Sequence, residues 1–374
     1  SDWTGKLNGA VADTQVLDVT GRHQLAADGT RRLELHGGGQ PDMLLPPFTR
    51  QLFAGQTKLD LAATISPEGR IGVESGTLET GKLLLTASGA IDPQGQNDLS
   101  ANLIGTDGPI NLRLPLEGGE LNTLIDGMDL SLRGGADAAK LSLSAALRRL
   151  DLPQGQFEDV KLSAMSDDLN LTSQIGTIRT SVSIARSTMT APDLQRVVKA
   201  PLTLNAPLRI SPQTIAFEGA TLESPSIGGT GSGTYDIATG TVATNLRLFV
   251  MPAVLPPDLA AKFDTTIAVD GYVNATVGGA TRIENLVIKS GTLEANGDLS
   301  LENGNIVAKL GGRLPALEKL TPQASGAVGF SLEANGPLTA ADFQINLNSA
   351  KALLAGRALE ALTVTANGKA DLNA

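Results

Sequence analysis

The sequence predicts an all-β protein: a long, strongly bent open β-sheet, a β-taco or groove, made of many short strands with a few short amphipathic helices. Three observations carry this expectation. Apolar and polar side chains alternate with a period of two almost throughout, the mark of strands with one apolar and one wet face. Forty-two glycines and nineteen prolines punctuate the 374 residues, which favours strands joined by turns over long helices. The same strand text also returns at a distance, "IGVESGTLET" at 71–80 reappearing as "IAFEGATLES" at 215–224.

Composition narrows the function classes. With 41% hydrophobic and 18% charged residues the chain is apolar enough to fold. Its net charge of −10 excludes the basic stripe that nucleic acid needs and argues against docking on an anionic membrane face. The absence of cysteine removes disulfides, thiolate chemistry and the common zinc sites. No apolar run reaches the roughly 18 residues of a membrane span. The text opens on "SDWTGKLNGA" and stops in mid-pattern at "VTANGKADLNA", so it reads as an internal fragment whose anchor or signal lies outside.

The elements follow in order. Alternating strands are expected in "KLDLAATI" (58–65), "INLRLPL" (110–116), "KLSLSAAL" (140–147), "DLNLTS" (168–173) and "SVSIA" (181–185). Further along come "PLTLNAPLRI" (201–210), "TTIAVDGYV" (265–273), "GFSLEA" (329–334) and "DFQINL" (342–347). The whole chain suggests about thirty strands of five to eight residues. Leu-Pro openings at Leu45, Leu255 and Leu314 each lead into about two helical turns, since proline is tolerated in a first turn and Leu or Phe recurs at helical steps. "APDLQRVVKAPL" (191–202) is a weaker fourth helix.

Self-similarity extends further. "LVIKSGTLEANGDLS" (286–300) reads as a third, shortened copy of the opening repeat, and 138–164 matches 340–366 by pattern. "IENLVIKS" (283–290) is the same strand again. The chain is then one continuous segment, 1–374, with repeat units near 45–130, 131–190, 191–254, 255–313 and 314–374. Within "ESGTLET" a turn is expected at Ser75 and Gly76, with Glu79, like Glu223 and Glu294, on the wet face.

A search for chemistry returns little. His23 and His36 lie outside any metal-ligand spacing. "GGTGSGT" (228–234) lacks the lysine and following helix of a phosphate loop, and reads as a turn or bulge. Asp167 with Asp168, or Asp258, Asp264 and Asp270, fall short of the ligand density of a calcium loop. The expectation is no enzyme, no cofactor and no metal.

The informative feature is the apolar face. It could line an ordinary sandwich core, wind into a closed β-helix, or bend into a trough covered by an apolar ligand. With aromatics at 3%, the lining is mostly Leu, Ile, Val and Ala. The candidate lining comprises Leu59, Leu61, Ile71, Val73, Leu78, Leu83, Leu85, Leu112, Leu114, Leu141, Leu143, Val160, Leu162, Val182, Ile184, Leu202 and Leu204. It continues with Leu246, Leu248, Ile267, Val269, Leu286, Ile288, Phe330, Leu332, Phe343 and Ile345. A charge at Leu85 or Leu143 is expected to bar an apolar ligand from the trough without unfolding the sheet.

Leu-Pro helices followed by alternating strands, and closing text such as "NGPLTAADFQINLNSAKALLAGRALEALTVTANG" (335–368), resemble the TamB family within the AsmA-like group of Gram-negative envelope proteins. The resemblance covers most of the chain as texture and phase, with no single diagnostic motif. It implies a β-taco anchored by an N-terminal inner-membrane helix and crossing the periplasm towards an outer-membrane partner of the barrel-assembly type. It further implies bridge-like transfer of phospholipids along the groove, or a part in outer-membrane protein assembly. Two other readings stay open: a chaperone that adds client strands to the sheet edge, and a structural β-helix of an adhesin.

Overall fold

The structure, a computed structural model, describes residues 2–11, 14–116, 119–263 and 265–372. It is nearly all β, 70% strand and 7% helix, and forms one open antiparallel sheet of 24 strands that does not close into a barrel. The chain divides into two compact units, residues 1–191 with 200–212, and residues 192–199 with 213–374.

The first unit holds β1 (Trp3–Val11), β2 (Thr14–Leu25), β3 (Arg31–Gly39), β4 (Thr57–Ile65), β5 (Ile71–Glu79), β6 (Leu83–Ile91) and β7 (Gln96–Gly105). It continues with β8 (Ile110–Leu116), β9 (Gly119–Gly135), β10 (Ala139–Leu152), β11 (Gly155–Leu169), β12 (Gly176–Met189) and β13 (Leu202–Ile210). Each strand pairs antiparallel with the next, except that β7 and β8 both pair with the long β9.

The second unit holds β14 (Thr214–Glu223), β15 (Ile227–Asp236), β16 (Thr241–Val250), β17 (Ile267–Thr276), β18 (Thr281–Lys289) and β19 (Glu294–Glu302). It closes with β20 (Asn305–Leu314), β21 (Ala324–Gly326), β22 (Val328–Pro337), β23 (Ala341–Leu354) and β24 (Arg357–Ala370). Here β20 pairs with β22, and both β21 and β22 pair with β23.

The strands are fewer and longer than the sequence suggests, reaching 17 residues in β9, because bulges let a strand run on where the alternation slips. Three of the slips are equivalent. The β5–β6 register shifts between Val73 and Gly76, β14–β15 between Phe217 and Ala220, and β18–β19 between Ile283 and Leu286. Each falls at an apolar-Glu pair, at Glu74, Glu218 and Glu284, with an apolar residue two positions further on at the second and third. The same text at Glu158 in β11 and Glu360 in β24 carries a left-handed residue after the glutamate, Asp159 (φ 52°) and Ala361 (φ 55°). A bulge bends its strand and increases local twist, so these glutamates mark creases.

Glycine completes the crease. Gly89 stands opposite Val73 beside the bulge with φ 113°, and a Cβ there would lie 1.6 Å from the Asp98 carbonyl oxygen. Only glycine fits so close an approach.

Three expectations are corrected. The strand β5 runs unbroken through Ser75 and Gly76, so the turn expected there is a bulge. "KSGTLEA" is not a third copy of that strand: Ser290 to Leu293 form the hairpin turn between β18 and β19. The true counterpart is "IENLVI", whose bulge lies at Glu284 and Asn285 (φ 53°). What "KSGTLEA" shares with Thr80 and Ser224 is a turn hydroxyl. The oxygens of Thr80, Ser224 and Ser290 each accept the N–H groups two and three residues on. The "GGTGSGT" stretch lies inside β15, where it is strand and neither turn nor phosphate loop.

The helices are shorter than expected. The Leu45 segment gives α1 (Pro47–Arg50) between 3-10 turns at Pro41–Leu44 and Gln51–Phe53. The weak fourth candidate is the longest helix, α2 (Pro192–Val197), held by the Asp193–Arg196 pair and by Arg196 donating to the Val254 carbonyl. The Leu255 segment gives α3 (Pro257–Ala260) after a 3-10 turn at Pro252–Val254. After Leu314 there is only a 3-10 turn, Leu317–Lys319, because β20 runs through Leu314 and uses up the start of the segment. These segments are tied to hairpins by buried threonines: Thr80 Oγ1 donates to the Leu52 carbonyl at 2.6 Å and Thr292 Oγ1 to that of Lys262 at 2.8 Å.

Candidate functional site

Register sorts every side chain of the ladder onto one of two faces, since directly paired residues share a face and neighbours in a strand alternate. One rung of the first unit runs Trp3, His23, Leu33, Ala63, Val73, Gly89, Leu99, Leu132, Leu141 across nine strands of the sheet. One rung of the second runs Gly229, Leu248, Val269, Ile288, Ala295, Gly312, Phe330, Leu347. Neither rung contains an acidic, Lys or Arg side chain.

All of the expected lining residues fall on this face of their own unit. In the first they sit on β4 (Leu59, Leu61), β5 (Ile71, Val73, Leu78), β6 (Leu83, Leu85), β8 (Leu112, Leu114), β10 (Leu141, Leu143), β11 (Val160, Leu162), β12 (Val182, Ile184) and β13 (Leu202, Leu204). In the second they sit on β16 (Leu246, Leu248), β17 (Ile267, Val269), β18 (Leu286, Ile288), β22 (Phe330, Leu332) and β23 (Phe343, Ile345). Leu78 shares the face of Ile71 and Val73 only because of the bulge between them.

Burial divides the set. Val160 is 2% exposed, and Leu83 and Ile267 are also buried, so these three build the floor and present no surface. Leu85 packs on a cluster of buried hydrophobic residues, Leu83, Ile110 and Ile125, together with Leu52 and Leu112. A charge at Leu85 would therefore act on packing as well as on the lining. Ile71, Leu162 and Leu204 stay open at 46%, 36% and 39% exposure. The rest are half-buried.

This face is no sandwich core. Among the described residues, the buried hydrophobic side chains larger than alanine are Val16, Leu83, Ile110, Ile125, Leu132, Val160, Ile267 and Val328 alone. Accessible surface totals 21191 Å², against about 14,000 Å² for a compact chain of this mass or about 17,000 Å² for two separate globular domains sharing it.

Sequence reasoning passed over lining positions on β2, β3, β7, β9 and β19, among them Val19, Leu35, Leu103, Leu130 and Leu299, which register places on the same face. Their signal was the same alternation, interrupted by glycines in β2 and β3 and by bulges in β9.

The opposite face is ionic. Cross-strand pairs occupy it at Lys6–Asp18 (3.2 Å), Lys58–Glu79 (3.3 Å), Arg179–Asp167 (2.5 Å), Arg186–Glu158 (2.6 Å), Arg247–Asp270 (2.7 Å) and Arg313–Glu294 (2.8 Å). Their side chains are exposed, so each contributes little to stability; together they keep this face wet. The Arg313 guanidinium holds the Glu294 carboxyl below the usual range, and the Thr177 and Thr239 backbone N–H groups do the same for Asp168 and Asp236.

Most of the polar candidates are held in contacts of this kind, while Asp258 stands in the first turn of α3. His36 Nδ1 lies 2.9 Å from Asp60, and His23 stacks on Trp3 with ring centroids 5.7 Å apart. Asp270 is paired with Arg247, and Asp264 lies outside the described residues. Among the described residues no three His, Asp or Glu side chains converge as a metal site would require. A recess of about 690 Å³ on the ionic face is lined by Lys6, Asp18, His36 and Lys58, groups already paired with one another or with strand neighbours.

Comparison with protein families, with curated proteins and with solved structures finds no match. The two-faced sheet is therefore the observation on which a function has to rest.

Proposed function

We propose that the chain is the periplasmic part of a bridge-like lipid transfer protein, conducting phospholipids along its apolar face between the inner and outer membranes of a Gram-negative envelope. The observation that carries the reading is an aliphatic face left uncovered, with open Leu and Ile side chains in mid-strand, backed by a face that carries the ion pairs. Each acyl CH₂ moved from water onto such a lining gains about 0.8 kcal/mol. A lipid is then held by its tails while its head group stays in water. The lining has few aromatics and is mostly Leu, Ile, Val and Ala, so successive positions along it are similar in chemistry, which favours sliding.

Trp3 provides the test. It is the chain's one tryptophan, exposed on the apolar face. The purified chain should carry phospholipid, seen by mass spectrometry of an organic extract, and phospholipids brominated in their tails should quench Trp3 emission. An extract free of lipid together with unquenched Trp3 overturns the reading. The outer edge of β24, which pairs only with β23 among the described residues, favours a second reading, in which the sheet edge takes up client strands of outer-membrane barrels. That reading expects unfolded barrel strands to bind and tail-brominated lipids to leave Trp3 unchanged.

A further inference from the structure

One charged side chain breaks the division between faces. In β3 the register pairs Arg31 with Leu25 on one side and Ile65 on the other, and Ile65 with Ile71, so Arg31 sits on the apolar face in its outermost rung. Among described residues of the first unit held in ladder register, it is the only Asp, Glu, Lys or Arg on that face. No ion pair of its guanidinium exists among the described residues. Arg32, Arg113 and Arg209 share that lack but stand on the opposite face, where Arg22, Arg133, Arg149, Arg179 and Arg186 are each paired. Its rung neighbours are the open ones: Leu25 is 46% exposed and Ile65 40%, with Ile71 beside them.

An unpaired guanidinium among open aliphatic side chains at a rim matches an anionic amphiphile. The planar fork binds a phosphate oxygen pair, and Leu25, Ile65 and Ile71 offer the first acyl carbons a dry surface. We propose that Arg31 is a head-group station: it holds the phosphodiester of a phospholipid whose tails lie on the rung Leu25, Ile65, Ile71. This deepens the lipid-transfer reading and rests on it. It names the rim of the β2–β3 and β4–β5 hairpins as a point where the head group is held while tails engage the face.

The neighbouring residue is a built-in control. Arg32 stands on the ionic face, paired in register with Gln24 and Thr64, and its charge acts on Asp28. Arg31→Gln and Arg32→Gln change the net charge equally. Tail-brominated phosphatidylglycerol and the diacylglycerol with the same chains, each in neutral detergent micelles, are titrated into both variants with Trp3 quenching as the readout. Arg31→Gln should weaken phosphatidylglycerol binding about fivefold, the size of one exposed charge contact, and leave diacylglycerol binding unchanged. Arg32→Gln should alter neither, and Arg31→Lys should recover part of the loss.

Equal phosphatidylglycerol binding by the two glutamine variants overturns the station. So does competition by millimolar glycerol phosphate, which would make this a site for a bare phosphate. If the unaltered chain shows no quenching by either lipid, the lipid-transfer reading falls as well; normal quenching in Arg31→Gln removes the station alone.

Discussion

At the scale of single residues, burial separates positions that look alike in the sequence. Val160 and Leu162 are two apart in β11 on the same face, yet one is floor and the other is open surface. Val160→Asp buries a carboxylate without a partner and should cost roughly 3 kcal/mol or more, read as a lower urea midpoint. Leu162→Asp should stay within about 1 kcal/mol of the parent and still reduce uptake of tail-brominated lipid, because a charge in the lining repels the tail. If Leu162→Asp carried lipid normally, the apolar face would not be the path. Glu294 offers a pH test. Its carboxyl is held below the usual range by Arg313, so the stabilisation is present above the ordinary glutamate pKa and is lost as pH falls through the lower folded value. Glu294→Gln should therefore be less stable than the parent at neutral pH, and the gap in urea midpoints should close in the acid range; a gap that widened on acidification would reverse the sign.

At the scale of the element, the bulge and its facing glycine act together. Gly89→Ala forces a Cβ against the Asp98 carbonyl at a positive φ, and should lower the unfolding midpoint by well over the roughly 1 kcal/mol typical of a glycine site. Gly278→Asn is the contrast: φ is 70° and no atom lies within 4 Å of the added Cβ, so asparagine, which tolerates the left-handed region, should be near neutral. Equal effects from the two would remove the crease from the account of the fold. Elements also show what was legible beforehand. Because a period of two leaves only two choices, alternation within a strand accounts for the face of every candidate lining residue except Leu78, which the bulge in β5 brings back to the face of Val73. Positions of bulges were not legible as such, since "VESGTL" reads equally well as strand, turn, strand. String likeness misled in "KSGTLEA", where a hairpin turn uses the same Ser, Gly and Thr that a strand uses in "ESGTLE". The helix after Leu314 was over-extended because a Leu-Pro start says where a helix is allowed and nothing about how much chain the preceding strand consumes.

At the scale of the whole molecule, the excess surface has a thermodynamic signature. Unfolding exposes about a tenth to a sixth less area than it would from compact domains of the same mass, given the 21191 Å² already exposed. The heat capacity of unfolding, summed over all calorimetric transitions, should fall short of the usual per-residue value by a similar fraction. A full globular value would mean that the apolar face is covered in solution. Saturating phospholipid should raise the transition temperatures, because a ligand bound only to the folded sheet stabilises it by mass action.

The crease recurs with its own short helical segment, bulged strand and turn hydroxyl, and the blocks β4–β7 and β17–β20 each hold four strands. Four is even, so a chain leaves such a block at the rim by which it entered, and the next strand paired to the block, β9 after β7 and β22 after β20, runs in the direction of the block's first. Four strands advance a sheet by about 19 Å. Duplication or loss of a block would change reach in steps of that size without exchanging the oily face for the ionic one, whereas gain of a single strand would reverse the direction of everything after it. Parity of strand number, more than any side chain, is what lets such a sheet change length by whole blocks.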